Sequence, residues 1–159
     1  ELFSIIGSQF APPLLVARTI RDRERSLADP FHPWLALLEK EALRAGEFGL
    51  SVGVCEFWIE GFDSAEMEGL ARLAEDIGHR LRDVIDVKHP VVRLGADAWA
   101  IVLSGVPLRD QEKILDCAAK EMLLMLDQHG LGERIRLERS QGQIPEEYPS
   151  AAAWVFRRQ

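Results

Sequence analysis

Pro90-Val91-Val92-Arg93-Leu94-Gly95-Ala96-Asp97-Ala98-Trp99-Ala100-Ile101-Val102-Leu103-Ser104 is the stretch whose reading decides the fold. Two short runs rich in β-branched and aromatic residues, 90–94 and 99–104, flank a Gly/Asp turn at Gly95-Ala96-Asp97-Ala98. That pattern predicts a β-hairpin.

Upstream, Met67, Leu70, Ala74, Ile77, Leu81 and Val84 recur every three or four residues. This spacing puts them on one face of a helix over 64–85. Asp63-Ser64-Ala65-Glu66 before it has the form of a capping box. Leu50 to Trp58 is short and rich in β-formers, and is expected to be a strand. Downstream, Pro107 opens a helix to about Gln128, with Ile114, Ala118, Met122 and Met125 inward; Gly130 and Gly132 end it. Ile135 and Leu137 predict a last strand. Pro145 and Pro149 signal turns, and Ala151 to Phe156 is expected to add a further strand. From Leu50 onward the order is β-α-β-β-α-β. This is the split βαβ, ferredoxin-like arrangement: an α+β fold whose antiparallel sheet carries both helices on one face. The fold hosts many functions and decides none of them.

Residues 1–28 form an N-terminal helical lead-in, a linker or signalling helix, and 29–159 the domain proper. Pro12-Pro13 start a helix that turns charged at Arg18 to Arg25, and Asp29-Pro30 break it. A second helix is expected from Pro33 to Ala45, with Leu35, Leu38 and Ala42 as its apolar stripe and Gly46 as its C-cap. The chain begins at Glu1 rather than Met and is expected to be a piece of a longer protein.

With 159 residues, 47% hydrophobic and 28% charged, the chain has the balance of a globular domain. Its net charge of −7 and the lack of a basic face argue against a nucleic-acid binder. Cys55 and Cys117 lack metal-ligand spacing and are expected to be buried free thiols in a reducing cytoplasm. No apolar run is long enough to cross a bilayer. His32, His79, His89 and His129 are scattered and do not form a zinc set. Trp34, Trp58, Trp99 and Trp154 are expected to be core or interface anchors.

The segment Arg93-Leu94-Gly95-Ala96-Asp97-Ala98-Trp99 resembles the signature hairpin of the GGDEF, or diguanylate cyclase, family. There the pattern is R-apolar-G-G-D/E-E-F followed by a hydrophobic strand. Asp29-Pro30-Phe31, the strand at Leu50 to Trp58 and His79-Arg80-Leu81-Arg82 fall in the family's order, so the resemblance spans Asp29 to Leu137. It implies a nucleotide-cyclase-like fold. It also implies a hairpin turn that approaches phosphate and guanine, beside carboxylates that hold a divalent cation. Gly95 and Asp97 survive, while Ala96, Ala98 and Trp99 replace the second glycine, the glutamate and the phenylalanine. Cys55 stands about where the family has its metal aspartate. Glu56 points to the opposite face from Cys55, because strand side chains alternate. Asp97 with Glu56 is the one carboxylate pair left to consider for Mg²⁺. The chain contains no Asn, so the guanine-contacting asparagine is absent.

The family's inhibitory RxxD precedes the hairpin. At that spacing this chain has Asp86-Val87-Lys88-His89. An RxxD does occur at Arg80 to Asp83, one helical turn apart, where an intrahelical ion pair is the simplest reading. Arg80, Arg82, Asp83, Arg93 and Asp97 are the candidate nucleotide-binding residues; Arg93 otherwise stands on the solvent face of the hairpin or pairs with a carboxylate such as Asp86. Asp97 is otherwise a turn-stabilising residue.

These departures give a degenerate GGDEF-like domain with no catalytic residues and no metal site. It is expected to act in protein–protein interaction or allosteric relay in bacterial cyclic di-GMP signalling. The expected partner is another signalling protein or another domain of the same polypeptide, with a homodimer through the N-terminal helix. The alternatives are a non-catalytic receptor for cyclic di-GMP or GTP, an active cyclase with unusual ligands, and an unrelated ferredoxin-like domain. No cofactor is expected, Mg²⁺ entering only with residual nucleotide binding. The expected location is the cytoplasm, as part of a larger, membrane-anchored protein or free of one.

Overall fold

The computed structural model describes residues 31–61 and 67–158. The lead-in over 1–28, the Asp29-Pro30 break and the capping box at Asp63 to Glu66 lie outside the described residues. Eight elements follow in order: α1 (Phe31–Gly46), β1 (Val52–Glu60), α2 (Met67–Val84), β2 (Val91–Arg93), β3 (Ala98–Ser104), α3 (Leu108–Gln128), β4 (Arg136–Ile144) and α4 (Ala151–Val155). The sheet order is β2-β3-β1-β4, and every neighbouring pair is antiparallel. From β1 to β4 this is the expected β-α-β-β-α-β fold.

The central strands are apolar on both faces, and their period-two alternation sorts side chains into two cores. Cys55, Phe57 and Ile59 of β1 join Trp99, Ile101 and Leu103 of β3 under α2 and α3. Leu70, Ala74, Ile77 and Leu81 of α2 close this core, as their spacing predicts. On α3 the fully buried set is Leu115, Ala118, Met122 and Leu126, while Ile114 and Met125 lie at its margin. Both sets are helically periodic, so the sequence locates the face only to within one residue.

The opposite sheet face is covered too. Val52, Val54, Ala100 and Val102 pack beneath α1 and α4, with Trp34 and Trp154 fully buried between the layers. The helices therefore lie on both faces, two from the split βαβ on one and two from its flanks on the other. On α1 the buried residues are Trp34, Leu38 and Ala45, while the expected Leu35 and Ala42 are half-buried.

Two further expectations are corrected. Ala151 to Phe156 is a short helix, not a strand. The Ser150 hydroxyl caps it by accepting from the Ala153 amide at 3.1 Å, and three alanines carry high helix propensity. Trp154 and Val155 are β-formers that misdirect a propensity reading. The last strand also runs on through the polar Ser140-Gln141-Gly142-Gln143, which β1 pairs residue by residue from Val52 to Glu60. Strand pairing here overrides local composition.

Gly142 lets α4 close on the sheet. A Cβ there would lie 2.6 Å from the Tyr148 ring and 2.8 Å from the Trp154 ring. Gly142→Ala is expected to lower the unfolding free energy by about 1–3 kcal/mol, the usual cost of overpacking a filled core, as read by urea denaturation.

Candidate functional site

The hairpin turn closes through the amides of Leu94 and Gly95, which donate to the carbonyl of Ala98 at 2.8 and 3.3 Å. The Asp97 carbonyl accepts from the Ile59 amide at 2.9 Å, so the turn is sewn to the end of β1. Gly95 does not adopt positive φ, unlike Gly61 and Gly105. An added Cβ at Gly95 would meet only Asp97 Oδ1, at 3.8 Å. Ala96 and Ala98 beside it are half-buried. Trp99 is fully buried and donates its indole N–H to the Ala74 carbonyl at 3.3 Å. It is a core anchor, as expected, and ties the hairpin to α2.

The candidate cations are occupied or dispersed. Arg80 donates to Glu121 of α3 at 2.8 Å, so the simplest reading of Arg80-x-x-Asp83 as an intrahelical pair is replaced by an interhelical one. Arg82 and Asp83 stand exposed on the last turn of α2. Arg93 donates to the Gly95 carbonyl at 2.9 Å, while Asp86 binds the Lys88 amide at 3.0 Å. Of the two readings of Arg93 the solvent-facing one holds: its side chain is exposed and turns back on the Gly95 carbonyl, while Asp86 is engaged locally.

On β1 the alternation has its largest consequence. Cys55 is fully buried in the core under α2 and α3. Burial pushes its thiol up to about 12, against a partial opposing pull from Arg139. Glu56 faces the other way and is also buried. Its Oε1 accepts from Arg157 and Arg158, each at 2.8 Å, and its Oε2 accepts from the Trp154 indole N–H at 3.0 Å. Arg157 also lies over the Trp154 ring, 3.4 Å from its centroid, and Arg158 lies over Trp58 at 4.6 Å. Burial alone raises a carboxyl, but the two guanidinium groups and the indole bond outweigh it and hold Glu56 below its ordinary 4.5.

Glu56 and Asp97 do not form a pair. Asp97 lies level with Ile59, three residues along β1 from Glu56, roughly 10 Å at strand rise. Among the described residues no three His, Cys, Asp or Glu side chains gather as metal ligands would. The Glu56 clasp is the feature the sequence reading missed. Arg157-Arg158 at the chain end carries no motif, and only the fold brings it about a hundred residues back to β1.

Cys117 corrects a further expectation: it is exposed, on the outer side of α3, and only Cys55 is buried. Among the described residues no helix is long and apolar enough to cross a membrane.

No family model and no curated protein matches the chain. Solved structures do. A DGC protein from Thermotoga maritima superposes with a TM-score of 0.58 at 17% identity, covering 79% of this chain and 88% of that one. The GGDEF domain of YfiN (TpbB) from Pseudomonas aeruginosa superposes at 0.56 with 20% identity, covering 78% of this chain and 80% of that one. The fold is therefore that of GGDEF domains, as the hairpin resemblance implied.

Two outcomes follow from the opposite faces of β1. A thiol-reactive chromogenic disulfide at pH 8 is expected to label one cysteine, Cys117, in the folded chain and two after denaturation. Because Glu56 is depressed, its contribution to stability is present above about pH 4.5 and is lost as pH falls below it. Unfolding free energy of the wild type is expected to drop below pH 4.5 more steeply than that of Glu56→Leu.

Proposed function

We propose that this chain is a non-catalytic GGDEF-fold module, acting in the cytoplasm as a protein–protein interaction or allosteric relay domain in cyclic di-GMP signalling. The signalling context comes from the fold and from the hairpin resemblance at Arg93 to Trp99. The loss of catalysis rests chiefly on one observation. Where the resemblance puts a metal-binding aspartate, Cys55 is sealed in the core, and the neighbouring carboxylate, Glu56, is turned away and consumed by two arginines.

Phosphoryl transfer from a nucleoside triphosphate depends on cations that neutralise charge spread over the phosphate oxygens. A thiol that ionises only near 12 is not an Mg²⁺ ligand at neutral pH, and hard cations take oxygen donors. Among the described residues Glu56 does not join Asp97 beside Gly95, and no group of carboxylates gathers there as such a cation needs. Ala98 further removes the glutamate that follows Asp97 in the family pattern, and Ala96 replaces its second glycine. What the chain keeps is a four-stranded sheet covered on both faces, which suits a part that passes on a conformational state.

The test is incubation of the chain with GTP and Mg²⁺ followed by chromatography of the nucleotides. No cyclic dinucleotide and no pyrophosphate are expected above a protein-free control. Calorimetric titration with cyclic di-GMP runs beside it. Micromolar binding that Arg93→Ala abolishes would replace the relay reading with a receptor, and turnover that Asp97→Ala abolishes would replace it with an enzyme.

A further inference from the structure

The two cores are separate clusters on opposite faces of one sheet. One is closed by α2 and α3, the helices within the split βαβ. The other is closed by α1 and α4, the first and last of the described helices. These two helices touch each other as well as the sheet: Trp34 and Leu38 of α1 share a cluster with Ala151, Trp154 and Val155 of α4.

α4 is five residues long, far too short to hold helical shape without packing. Its place on the sheet is set by a polar clasp within an apolar layer. Glu56, 3% exposed, binds Arg157 and Arg158 from the residues just past α4 and the Trp154 indole from within it. Arg157 adds a bond to the Trp154 carbonyl at 2.6 Å, which fixes the guanidinium across the helix end. If α4 lifts away, Glu56 is left on the sheet without its cations, and Trp34 of α1 loses its cover. Breaking a buried pair by removing one partner is costly, so the clasp gives the layer one closed arrangement rather than many.

We infer that α1 and α4 form a single movable layer, held shut by the Glu56–Arg157–Arg158 clasp, which opens as a unit while the α2–α3 side stays folded. The inference rests on the relay reading for its purpose: a displacement of α1 reaches α4 directly, without crossing the sheet. Cooperative opening of part of a domain is ordinary where packing divides into separate clusters.

Hydrogen–deuterium exchange of the full chain, read by mass spectrometry, tests it. The variants are Glu56→Gln and the double variant Arg157→Ala/Arg158→Ala. Glu56→Leu is the control that removes the charge but keeps apolar volume against Trp154. In the first two, amides of α1 and α4 are expected to exchange at least tenfold faster together, with α2 and α3 unchanged. In Glu56→Leu the acceleration of α1 is expected to be smaller than in Glu56→Gln. Equal acceleration of all four helices would overturn the inference, because the domain would then open as one unit. Faster exchange in α4 without α1, or no change in either, would overturn it as well. GTP turnover by the wild type would refute the relay reading while leaving this exchange pattern intact, so the two failures are distinguishable.

Discussion

A strand buried on both faces forces each residue to commit its side chain to one core or the other, and β1 carries that constraint through Cys55 and Glu56. Between Val52 and Phe57 every residue is buried, so neither face there offers solvent to a carboxylate. A carboxylate at 55 would sit in an apolar core under two helices, where an unpaired charge is not tolerated and the group would be neutral instead. The carboxylate at 56 is tolerated because two arginines and an indole return from the end of the chain to meet it. The two-sided burial of β1 therefore both shapes the fold and keeps Cys55 and Glu56 apart.

Much of this was legible in the sequence where periodicity was strong. The stripe from Leu70 to Leu81 placed α2, and the Gly95 to Ala98 turn between apolar runs placed the hairpin. Their order then gave the split βαβ topology. Where local composition and tertiary pairing disagreed, pairing won. Ser140 to Gln143 is polar and contains a glycine, yet β1 holds it in register as strand. Ala151 to Phe156 has three β-formers, yet a serine cap and three alanines make most of it helix.

The site was legible by residue type but not by partner. Trp99 was placed in the core and Cys55 was read as buried, each from its apolar surroundings. The ion pairs were not foreseen. Arg80 bridges to Glu121 rather than to Asp83, Arg93 turns back on the Gly95 carbonyl, and Arg157 and Arg158 reach Glu56. Each partner lies within reach only after the helices and the sheet are assembled, and one-dimensional spacing carries no information about it.

We propose that no magnesium–nucleotide site is assembled at the hairpin. This claim is tested most directly by a crystal structure of the chain grown with a non-hydrolysable GTP analogue and excess Mg²⁺. The account predicts no triphosphate at the Gly95 turn, with Cys55 still enclosed and Glu56 still held by Arg157 and Arg158. A triphosphate resting on that turn, its magnesium bound by Asp97 and a second carboxylate, would contradict it.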